Sequence, residues 1–191
     1  MFDLDQFIAD CRGAIAEDAS HKAVREVVAR AVADPEAVLK GVGEPRFAGV
    51  ERIYHGPDLT ILNVIWAPLM TIMPHEHRMW AVIGVYTGAE DNMFWRRLDD
   101  AQGRSRVEAA GARSLRVGDA EPLGHDIVHS VTNPIPRLTG AIHVYGGDFF
   151  AVQRSEWDPE TLIERAYDVE KNMRAFTEAN ARLAALTPSS N

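Results

Sequence analysis

Three hydrophobic periods follow one another along the chain. From Leu4 to about Leu39, apolar residues recur at three- and four-residue intervals (Phe7, Ile8, Cys11, Ile15, then Val24, Val27, Val28, Ala31), the spacing that gives a helix one apolar stripe. Asp34 followed by Pro35 reads as the cap and first residue of a further helix, since proline loses no intrahelical hydrogen bond there. From about Phe47 to Val152 the runs LTILNVIW, MWAVIGVY, NMFWRR, DIVHSVTN and TGAIHVYGGDFFAV are short and rich in β-branched and aromatic residues. HGPD, TGAED, DAQGR, AAGAR and NPIPR between them read as turns. Many short strands at near-even spacing predict a barrel or sandwich. Asp158 and Pro159 then read as a second cap, ahead of the helical stretch LIERAYDVEKNMRAFTEANARLAAL and a frayed TPSSN. The pattern thus predicts one mainly β domain over 1–191, with a helical preface over 1–45, a barrel over 46–155, and a C-terminal helix and tail over 156–191.

Composition narrows the partners. At 46% hydrophobic and 25% charged residues the chain has an ordinary globular balance, but its net charge of -8 disfavours nucleic acid and anionic membranes, which attract surplus Lys and Arg. A small molecule fits better. The start MFDLDQFIADC lacks the basic opening and long apolar core of a signal peptide, so the expected compartment is the cytoplasm. The single cysteine, Cys11, falls in the apolar stripe of the first helix and reads as an inert packed thiol.

The candidate chemistry lies in the β region. His75 and His77 stand one residue apart in MPHEHRMWAVIGVYTG, and side chains two apart on a strand share a face, so both imidazoles can meet one metal ion. In a chain with 7 histidines such a pair alone carries little; the second run, PLGHDIVHSVTN, adds His129 with Asn133 four residues on. His125, an even number of residues before His129, is a rival ligand. On a strand starting at His75, Met79, Ala81 and Ile83 would point inward with the ligands, leaving Arg78 and Trp80 outside as packing or homodimer contacts. The charge run Glu90–Asp91 reads as a solvated turn.

Together these two motifs resemble the metal motifs of the cupin superfamily, double-stranded β-helix (jelly-roll) barrels. The glutamate that usually follows the first motif is missing: Trp80, Ala81 and Val82 occupy its positions. Three neutral imidazoles without a carboxylate leave a bound ion its full charge and open positions on one face. This resembles the thiol dioxygenases, the cysteine dioxygenase and 3-mercaptopropionate dioxygenase group. The likeness extends to their S-x-H-x-Y triad, read here as Ala141-Ile142-His143-Val144-Tyr145, with the serine replaced. The sequence also resembles bacterial proteins described only as predicted metal-dependent enzymes of the double-stranded β-helix superfamily, which share PHEHRMWAVIGVYTGAEDN and GAIHVYGGDFFA; the likeness spans most of Arg46 to Asp158.

The resemblance implies nonheme Fe(II) on His75, His77 and His129, dioxygen and a small anionic thiol as substrates, and a sulfinate product. It implies that His143 and Tyr145 steer protons beside the metal. It also implies an arginine on the substrate carboxylate. Nine residues beyond Tyr145, as in the mercaptopropionate branch, stands Arg154; Arg52 is the looser match to the cysteine branch. A guanidinium fork can clasp a carboxylate through two hydrogen bonds. Val82 stands where some members carry a cysteine crosslinked to the tyrosine, so no crosslink is expected. The alternatives from the same residues are a carbon–carbon-cleaving oxygenase, a redox-neutral lyase or isomerase on zinc, manganese or nickel, and a non-catalytic metal-binding cupin.

Overall fold

The computed structural model describes residues 2–99 and 105–186; the DAQGR turn and the TPSSN tail lie outside them. Three helices open the chain: α1 (Leu4–Glu17), α2 (His21–Val32) and α3 (Pro35–Val42). Each begins where a short polar side chain satisfies a free first-turn amide, with Asp3 accepting from Gln6, Ser20 from Lys22 and Asp34 from Ala37. The strands follow as β1 (Gly49–His55), β2 (Thr60–Trp66), β3 (Thr71–Glu76), β4 (Ala81–Thr87), β5 (Ala89–Asp99), β6 (Ser105–Arg116), β7 (Ala120–Leu123), β8 (Val128–Thr132), β9 (Thr139–Tyr145), β10 (Ser155–Trp157) and β11 (Glu164–Ala166). Helix α4 (Val169–Leu186) closes the chain, and no helix among the described residues is long and apolar enough to cross a membrane.

The strands form two antiparallel sheets, ordered β1-β2-β9-β4-β7 and β11-β10-β3-β8-β5-β6. Successive strands alternate largely between the sheets and wind into a double-stranded β-helix, the cupin barrel. The first sheet is buried on both faces. Leu62, Val64, Trp66, Ala81, Ile83 and Tyr145 face the barrel interior, whereas Ile61, Ile65, Val82, Ile142 and Val144 pack beneath α1–α3. Two buried faces explain why β2, β4 and β9 read as continuous apolar runs. The helices press close: a side chain at Gly84 would stand 2.5 Å from a Val28 methyl. Cys11 is fully buried in this outer layer.

Four sequence expectations fail in instructive places. Asp158 does not start a helix; its Oδ1 accepts from the amides of Glu160 (3.1 Å) and Thr161 (3.0 Å), closing a turn that pairs β10 with β11. The helix starts past Asp168, whose Oδ1 accepts from Lys171 at 2.8 Å, so the strand region runs beyond residue 155 to Ala166. AAGAR is no turn but part of β6, absorbed by a register shift opposite Phe94 and Trp95. Glu90 and Asp91 lie in β5, because Gly88 at φ 82 already makes the turn. The strand carrying His75 ends at Glu76, and a separate turn, with Arg78 at φ 56, leads to β4.

Candidate metal centre

His75 is the penultimate residue of β3, His77 opens the turn after it, and His129 lies on β8 directly opposite His75 in the ladder. All three are buried. His77 Nε2 stands 3.2 Å from His75 Nε2 and 3.3 Å from His129 Nε2. Three imidazole nitrogens about 2.0–2.1 Å from one ion would lie roughly 3.0–3.4 Å apart, so the spacing fits a shared ion. The three histidines form a cluster that could hold a metal ion.

The outer nitrogens are committed in the sense that metal ligation requires. His75 Nδ1 donates to the Met73 carbonyl at 3.0 Å, and His129 Nδ1 donates to the Asn92 side-chain oxygen at 2.7 Å, which leaves both Nε2 lone pairs facing inward. Burial pushes the His75 imidazole down to about 4, with the Arg154 charge adding to it. Burial first, and the neighbouring rings second, hold His77 and His129 well below the ordinary range. The cluster is therefore neutral, as ligands must be.

Beyond the ligands stands a carboxylate that sequence reasoning placed in solvent. Glu90 is fully buried; Oε1 accepts from Asn92 Nδ2 (3.0 Å) and Oε2 from Trp66 Nε1 (2.8 Å). Burial alone would raise its carboxyl, but His143 and the Asn92 and Trp66 donors outweigh that and hold it below the usual glutamate range. His143 Nε2 faces Glu90 Oε2 at 3.5 Å, too long for a good hydrogen bond, and its Nδ1 meets the Tyr145 hydroxyl at 3.1 Å. Ala141, where the triad serine would stand, lies in the apolar interior, so the group behind His143 is Glu90. The legible signal was period two: Glu90, Asn92 and Phe94 share one face of β5.

A cavity of about 1060 Å³ opens on this cluster, with His75, His77, His129, His143 and Tyr145 in its wall. Arg154 lines it too, its guanidinium 4.0 Å from the Phe149 ring centre and 4.4 Å from that of Tyr167. Nη1 donates to the Phe149 carbonyl at 2.6 Å, whereas Nε is buried without a partner. The other arginines of the wall have carboxylate partners: Arg78 pairs with Glu76, which also holds Arg97, and Arg165 with Glu156 and Asp158. Arg154 has no carboxylate partner among the described residues. Arg78 is exposed and touches the cavity wall, while Trp80 packs in the outer layer as expected. Arg52 is exposed and outside the cavity wall; His125 is exposed and pairs with Asp126 at 2.8 Å, away from the cluster. Tyr167 and Phe149, which flank the guanidinium, were not anticipated.

No protein-family model matches the chain. Solved structures resemble it distantly. A cupin family protein with a double-stranded β-helix fold from Methanocaldococcus jannaschii is 8% identical, covers 56% of this chain and 86% of its own, and gives a TM-score of 0.45. An uncharacterized conserved protein with a double-stranded β-helix domain from Klebsiella pneumoniae is 13% identical over 65% and 90%, with a TM-score of 0.43. A recombinant oxalate oxidase in complex with glycolate is 17% identical over 55% and 53%, with a TM-score of 0.41. Likenesses this distant carry no argument about activity; the fold rests on the strand order and the site on its own atoms. Those define a cupin barrel with a three-histidine site suited to a metal ion.

Proposed function

We propose that the protein is a nonheme Fe(II) oxygenase that converts a thiol carboxylate and dioxygen into the sulfinate. One observation carries the reading: Arg154, a guanidinium held between two rings and free of any described carboxylate, shares a cavity with three convergent neutral imidazoles. Ferrous iron on His75, His77 and His129 would bind the thiol as thiolate and activate dioxygen beside it. Arg154 binds the substrate carboxylate and fixes its orientation. The Tyr145 hydroxyl, buried and pushed well above the ordinary phenol range by that burial, stays protonated and donates toward the reacting oxygen. His143 Nδ1 stands 3.1 Å from that hydroxyl and helps to position it, with the Glu90 carboxylate 3.5 Å from the far side of the ring.

Oxygen uptake by the iron-loaded protein, measured with 3-mercaptopropionate, cysteine, cysteamine and a diketone, tests the assignment. A charge-assisted hydrogen bond is worth about 1.5–3 kcal/mol, so Arg154→Ala should lower kcat/KM for a carboxylated thiol about 10- to 150-fold, with Arg154→Lys in between. Cysteamine, which has no carboxylate, should barely respond. Equal losses for both thiols would show that Arg154 does not clasp the substrate. Uptake with the diketone alone would replace sulfur oxidation by carbon–carbon cleavage.

A further inference from the structure

The size and lining of the cavity bear on which acid it takes. At about 1060 Å³ it stands at the upper end of the roughly 300–1,000 Å³ typical of pockets that bury drug-sized ligands. At about 30 Å³ per water, a three-carbon thiol acid would displace only a small part of its contents. The groups that can hold charge sit together near His75, beside Arg154 and Tyr167. The rest of the wall is largely apolar: Val50, Leu62 and Val64 from the first sheet and Met173 and Phe176 from α4 line it, and Phe176 stacks at 5.6 Å on Trp66, whose other ring neighbour is His143. The carboxylate on the wall, Glu164, is engaged by the Ser155 hydroxyl at 2.5 Å. One uncommitted cation at one end and an apolar chamber at the other describe a ligand with one anionic head and a long apolar body.

We propose that the substrate is a carboxylate bearing a medium-length apolar chain, its head on Arg154 and its chain between β2 and α4. This rests on the reading of Arg154 and the three histidines as one site. It departs from the three-carbon substrate that the family likeness implies.

Calorimetric titration of the zinc-loaded protein, in which binding is not followed by oxidation, with straight-chain carboxylates from propanoate to dodecanoate tests the proposal. Each added methylene should tighten Kd about 3- to 4-fold until the chamber is full. Val64→Trp, on the chamber wall, should end that improvement several carbons earlier and leave propanoate binding unchanged; Met173→Trp, on the half-exposed α4 face, offers the same test without touching a sheet. A Kd independent of chain length in the unaltered protein overturns the proposal, as does a series that neither tryptophan shortens. Zinc content and Co(II) absorption of the same samples separate the two readings. Metal bound with a flat series defeats the long-chain substrate alone, whereas a rising series without metal supports it and defeats the oxygenase.

Discussion

The two faces of the first sheet are built from alternate residues of the same strands, yet they do opposite work. On β9, Ile142 and Val144 pack beneath α2 and the other helices, while His143 and Tyr145 face the cavity. The outer face is filled: its cluster is almost wholly aliphatic, and the Tyr86 hydroxyl donates to Asn63 Oδ1 at 2.7 Å. The inner face is hollow and carries the titratable groups. Close packing on one side holds β9 rigid enough to present His143 and Tyr145 on the other, across the cavity from the three histidines of the second sheet. Stability and chemistry are thereby separated by one residue of register.

The sharpest way to break this contrast is to remove a candidate ligand that the second sheet brings to the cavity in front of the hollow face. His77→Ala should lower metal affinity by more than the 10- to 100-fold typical of losing a mere supporting partner, with the far-ultraviolet spectrum unchanged. Global unfolding of that variant would mean that the inner face also carries the fold. On the filled face the result should reverse. Ile142→Ala leaves a cavity in a fully buried site and should cost about 2–5 kcal/mol in urea unfolding, while Co(II) binding stays as it was. A change in Co(II) affinity there would show that the faces are coupled. Between the two lies Asn92, which holds His129 and is itself held by Glu90. Asn92→Ala should weaken metal binding about 10- to 100-fold, and an unchanged affinity in competition with a chelator would dismiss its positioning role.

The smallest effect expected is none at all. Burial pushes the Cys11 thiol up to about 12, so it stays protonated throughout pH 7–9 and should resist iodoacetamide in the native protein. In urea, with an ordinary thiol near 8.5, its thiolate fraction should rise on the order of 1,000-fold. Rapid native labelling would place the first helix away from the sheet.

How legible all this was depended on how local the signal is. The preface was read well because its caps and apolar stripes act over one or two turns. Pairing across strands was less legible. Asp158 and Pro159 carry a helix-start signature, but Trp157 is fully buried and Glu164–Ala166 pair with β10, so extended structure wins there. His75 and His77 were legible from spacing, and His129 only with the help of the resemblance, since 52 residues separate it from His77. Glu90 was missed because a carboxylate beside an aspartate normally seeks water; two donors, from β2 and β5, and the His143 ring of β9 make its burial tolerable, and no local pattern announces them.

Trp80 shows how the metal-site turn is tied to the rest of the molecule. Its indole donates to the Ala19 carbonyl at 2.9 Å, in the connection between α1 and α2, and its ring lies where a side chain at Gly146 would come within 2.0 Å. Three residues from a ligand, one side chain therefore spans the helical layer and the end of β9. In the course of sequence drift these positions are not free of one another. A lineage that enlarges residue 146 must first give up the tryptophan, and one that shrinks the tryptophan loses both the hold on Ala19 and the need for glycine. Residues 80 and 146 should thus change together among relatives that keep this barrel, although neither touches a metal or a substrate.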